Sequence, residues 1–168
     1  MIEILLNFSQ ATGIYSFMNS PWGWPVAESI HFFGLCLLVG TVGLFDLRMM
    51  GFAKEISLAE LHRLVPAGVA GYSLNVVTGI MFLSTAPDQY IYNPAVQSKF
   101  FFMLIAGINM VFFYATTANE VKSGDAISRV LFRAKAIAAI SLACWCAVII
   151  CCRLITYYRP PYHWCLWC

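Results

Sequence analysis

Charge is what this chain has least of. Only 11% of its positions are Asp, Glu, Lys or Arg, against about a quarter in an ordinary soluble domain. So few charges cannot dress the surface of a water-soluble globule, whereas 61% hydrophobic residues suit hydrocarbon. The net charge is only +2, and the basic residues fall in loops, so nucleic-acid binding finds no support. Internal repeats, low-complexity tracts, nucleotide motifs and nucleophile–base pairs are also missing. The expectation is therefore one transmembrane domain over residues 1–168, with no catalytic activity of its own. The opening MIEILLNFSQATG has no basic n-region and no A-x-A-like cleavage site, so it does not read as a cleaved signal peptide.

What is present is four apolar runs, each near the roughly 20 residues that a bilayer requires. They cover about 25–45, 64–86, 94–117 and 134–157. Pro66 falls in an opening turn, where proline is tolerated, and Asn93-Pro94 reads as an N-cap followed by a helix-starting proline. The loops after runs one and three hold Arg48, Lys54, Arg63, Lys122, Arg129, Arg133 and Lys135, whereas the other side holds Lys99 and Arg159. By the positive-inside rule the basic loops are cytoplasmic and both termini lie outside. Residues 2–18 are apolar but interrupted by Asn7, Ser9, Gln10 and Gly13, which predicts an interfacial helix rather than a span. Trp22 and Trp24 would anchor span one at headgroup level. The predicted fold is all-α: a polytopic membrane four-helix bundle with an N-terminal interfacial helix and an outer tail, 158–168. Gly34, Gly40, Gly43, Gly71 and Gly79 are candidates for close helix approach.

Ionisable side chains inside a span mark a candidate site and call for a partner. Glu28 and His31 sit one turn apart on span one, and His31 lies about 9 Å along the helix from Pro25. Arg153, near the outer end of span four, is a natural countercharge for Glu28, and the tail returns His163 to the same side. One reading is structural: a Glu–Arg–His cluster that fixes helix register.

A second reading is ligation of a redox cofactor. Glu-x-x-His is the helical spacing of di-iron bundles, but only Glu28 and Asp46 lie within spans, too few for such a centre. His62 is close to a membrane thickness from His31, so those two cannot clasp one haem. His31 with His163, or with a thioether from Met81 or Met103, suits haem b or copper.

A third reading is a proton or ion path through Glu28, His31, Asp46 and Arg48, with Tyr72, Asn75, Thr78, Asn109 and Tyr114 along it. Asp46 and Arg48 also suit an end-of-helix salt bridge at the cytoplasmic interface.

Cys36, Cys144, Cys146, Cys151 and Cys152 fall within spans and read as small apolar packers. Cys165 and Cys168 close the chain as HWCLWC. There a disulfide, a soft-metal hook with His163, or plain interfacial packing all fit.

Several segments together carry a resemblance: PVAESIHFFGLCLLVGTVGLFDLRMMG, RLVPAGVAGYSLNVVTG, NPAVQSKFFFMLIAGINMVFF and RLITYY. In this order they resemble a group of uncharacterised four-helix bacterial inner-membrane proteins, distantly similar to the copper-resistance D membrane proteins. The resemblance implies His31, Asp46, Arg48 and Arg153 as matching polar positions, and a link to copper handling. The third span of that group often ends Phe-His, where this chain has Phe113-Tyr114, and the HWCLWC tail is an addition. The expected function is binding of a redox cofactor or copper, alone, as a homo-oligomer or as an accessory subunit of a membrane redox complex. A purely structural assembly subunit and a small ion- or proton-conducting protein are the alternatives.

Overall fold

The computed structural model describes residues 2–52, 55–56, 58–116 and 128–158. Among these residues every regular element is helical, as the composition requires. α1 (Ile2–Ala11) and α2 (Ile14–Met18) precede the long α3 (Gly23–Met50); α4 (Leu58–His62) leads into α5 (Val65–Thr85). α6 (Pro87–Ile91), α7 (Pro94–Thr116) and α8 (Ser128–Leu154) follow, and a 3₁₀ turn over Ile155–Tyr158 extends α8. Four helices are long and apolar enough to cross a membrane: Gly23–Met50, Glu60–Thr85, Pro94–Thr116 and Phe132–Tyr158. The chain is a small, multi-pass, all-α membrane protein.

The N-terminal segment differs from the single helix predicted over 2–18. Gly13, at φ +75°, turns the chain between α1 and α2, and both short helices pack against α5. An L side chain at that φ would be strained, so the glycine supplies the bend. α3 stops at Gly51, which at φ +103° makes a Schellman ending: Gly51 N–H donates to Arg48 O and Phe52 N–H to Leu47 O. α7 starts as its Asn-Pro pair predicts. Asn93 Oδ1 accepts from Ala95 N–H at 3.0 Å, while Asn93 Nδ2 donates to Ile155 O (3.0 Å) and Tyr158 O (3.3 Å). This fully buried asparagine therefore caps one span and holds the end of another.

Two antiparallel pairs make the bundle. α3 packs on α5, α7 on α8, and α3 on α8 joins them. The α3–α5 crossing is tightest at Gly34 and Gly71. A Cβ added at Gly71 would come within 2.6 Å of Gly34 O and 2.8 Å of Leu38 N, and one at Gly34 within 2.8 Å of Gly71 O. Backbone meets backbone here, the close approach that small residues permit in lipid. Gly68 extends the contact against Thr41, whereas Gly40 and Gly79 face open space and Gly43 barely reaches Leu142. The glycine stripe is thus partly packing surface and partly not.

Two apolar clusters close the ends. One gathers Met18, Ala27 and Phe82 with Trp24, Met81 and Tyr90, and Trp24 stacks on Phe82 at 5.3 Å between centroids. The other gathers Met49, Phe113, Ala134, Ile137 and Ala138, with Phe45 edge-on to Phe113 at 5.7 Å. We call these the aromatic end and the basic end, the latter for Arg48, Arg63 and Arg133. Phe100, Phe101, Leu104, Ile108 and Val111 of α7 stay exposed, a surface that suits lipid tails.

Candidate functional site

His31 is the polar centre of the aromatic end. α3 and α5 run in one antiparallel register, with Leu38 against Gly71 and Thr41 against Gly68. That register brings His31 to Thr78, whose Oγ1 lies 2.7 Å from His31 Nδ1. Thr78 is buried, and its hydroxyl also lies 2.6 Å from Leu74 O. A hydroxyl has one hydrogen. Leu74 O takes it, so Thr78 Oγ1 accepts from Nδ1–H and the Nε2 of the neutral imidazole keeps its lone pair. Phe82 stands edge-on to the ring at 5.5 Å and braces it from α5.

Lys99 joins from α7. Phe45 packs on Phe113, which sets the parallel register of α3 and α7. Fourteen residues toward the aromatic end on each helix bring His31 and Lys99 level. Lys99 itself is half-buried on α7. The contacts that build the site come from α3 and α5: an oriented imidazole, the hydroxyl that holds it and the Phe82 ring beside it.

The structure separates Glu28 from His31, although they lie one turn apart. Glu28 is exposed and opens onto a surface hollow with Tyr15, Asn19, Trp24 and Gln89, while His31 turns toward α5. The expected pairing with Arg153 does not form: the Arg153 guanidinium lies over the Tyr157 ring, 5.8 Å from its centroid. The reason is the helix angle, since Arg153 and Tyr157 share one exposed face of the α8 end. Met81 packs in the aromatic-end cluster and Met103 is half-buried on α7. His163, Cys165 and Cys168 lie outside the described residues. Among the described residues no three or more His, Cys, Asp or Glu side chains are grouped to hold a metal ion. Cys144 and Cys151 are buried as expected of packers, but Cys36 and Cys146 are exposed on the helix surface.

At the basic end the expected Asp46–Arg48 salt bridge is replaced by two separate contacts. Residues two apart on a helix face different ways. Arg48 Nε donates to Ile56 O at 2.6 Å, tying down the chain beyond α3. Asp46 turns the other way, toward Ser141 of α8, and is only 3% exposed. Asn109 of α7 also spans two helices, its Nδ2 donating to Ile137 O at 2.9 Å.

Lys99, Ser141 and Phe82 are the site residues that sequence reasoning passed over. Lys99 reads as a charge of the loop after span two, yet it lies five residues inside the helix begun by Pro94, and a charge within a span is itself a signal. Ser141 carried none. Comparison with protein-family models, with curated proteins and with solved structures finds no match to this chain.

Proposed function

We propose that this membrane protein binds a redox cofactor between its helix pairs at the aromatic end, with His31 as ligand and a haem b-type group as the best fit. The observation that carries this is the imidazole: Thr78 holds Nδ1, and Nε2 is left as a lone-pair donor. Holding a histidine ligand by its other nitrogen is the usual outer-shell arrangement at metal sites. Lys99 separates haem from copper. A cationic side chain level with His31 opposes a bare copper ion but complements the carboxylates of a haem. Bound there, haem would supply one-electron transfer. Thr78 and Phe82 orient the ring, and Lys99 offsets the carboxylate charge that the cofactor brings into hydrocarbon.

The resemblance to bacterial inner-membrane proteins supports that membrane, and the basic loops favour both termini outside, an orientation in which the site would lie in the outer half. The exposed apolar helix faces favour lipid contact together with a homo-oligomer or a role as accessory subunit to a redox complex. The resemblance to four-helix proteins distantly like copper-resistance D supports the same setting.

A visible spectrum of the purified protein tests the reading. A Soret band is expected, lost in His31→Ala and weakened in Lys99→Ala. Stoichiometric copper without that band would favour the metal instead. A protein with neither iron nor copper would leave a structural assembly subunit as the answer.

A further inference from the structure

A different observation stands at the opposite end of the bundle. Asp46 is 3% exposed, and its Oδ2 is buried without a hydrogen-bond partner. Phe45 and Met49, one residue before it and three after it on α3, belong to the apolar cluster that also takes in Phe113 of α7 and Ile137 and Ala138 of α8. An ionised carboxylate in such surroundings is costly unless a countercharge meets it. Among the described residues no basic side chain is paired with it. Arg48 is turned to Ile56 O. Arg63, Arg133 and Lys135 are exposed. α8 offers Ser141 and the thiol of Cys144, and α7 offers only the exposed Tyr114.

A second buried atom without a partner is His62 Nε2. His62 closes α4, the short helix that packs on α3, the helix of Asp46.

We propose that Asp46 Oδ2 is a proton-binding site in exchange with water at the basic end, with His62 the titratable group on its approach. The step is an acid–base one: hydronium gives its proton to Oδ2, an O–H bond forms, and water leaves; release is the reverse. A proton fits better than a metal cation. Asp46 and Ser141 supply few of the six or more oxygen ligands that hard cations gather. The site is independent of any cofactor at His31.

Infrared spectra of the full chain in nanodiscs, recorded across a pH series, test this. A protonated-carboxyl C=O band is expected that disappears as pH rises, moves in heavy water, and is absent in Asp46→Asn. Ser141→Ala should shift its frequency by removing the neighbouring hydroxyl, which keeps the test alive if Asp46→Asn misfolds. His62→Gln should slow the return of the band after a pH jump several-fold. A band that sodium displaces at constant pH would overturn the proposal in favour of a metal cation. Wild-type and Asp46→Asn spectra that coincide at every pH would overturn it outright.

Discussion

The two ends of the bundle treat buried polarity in opposite ways. At the aromatic end three inward polar side chains are answered: His31 by Thr78, Thr78 by Leu74 O, Asn93 by backbone of three segments. At the basic end Asp46 and His62 each keep a buried atom with no partner. Satisfied groups fix geometry, whereas unsatisfied ones cost stability and persist where something else uses them. The contrast separates an end whose histidine is held by a hydroxyl from an end whose carboxyl keeps one oxygen unpartnered.

Substitutions can break that contrast, and the largest effect lies between the ends. Gly71→Leu drives a side chain into the backbone of α3 and should cost more than about 3 kcal/mol, or abolish folding, as read by thermal unfolding in detergent. Asn93→Ala removes a cap and two cross-chain bonds at once, for a loss of about 2 kcal/mol in the same assay. Thr78→Val keeps the shape but leaves His31 Nδ1 unanswered. It should cost about 1 kcal/mol, with Thr78→Ser restoring most of it. Asp46→Leu sharpens the comparison by reversing its sign, because it removes a carboxyl whose Oδ2 is buried without a partner, at the loss of its contact with Ser141. Stability should hold or rise by up to about 1 kcal/mol, and a large loss would show that Asp46 is a structural partner after all. Gly79→Leu, facing open space, should change stability by less than about 0.5 kcal/mol.

The four spans were legible because each apolar run reaches the roughly 20 residues that a bilayer requires, and because Pro66 and Asn93-Pro94 punctuate the chain. The site was legible only in part. His31 stood out as an ionisable group in hydrocarbon. Thr78 is legible as one of several polar residues beside it on span two, but not as its partner, since a threonine in a membrane helix more often bonds its own backbone, as Thr78 also does here. Glu28 misled because a spacing of three places two residues on neighbouring faces, and α5 covers only one of them. Register between helices decides such matters, and one chain's sequence does not carry it. Lys99 was the avoidable miss: proximity to a loop masked its position inside α7.

One consequence follows from the Gly34–Gly71 crossing. With no side chain between the backbones, α3 and α5 already touch there, and the pair cannot draw closer without moving main chain. His31 lies three residues to one side of Gly34 and Asp46 twelve to the other, so a single close crossing fixes the spacing of the helix pair that carries both.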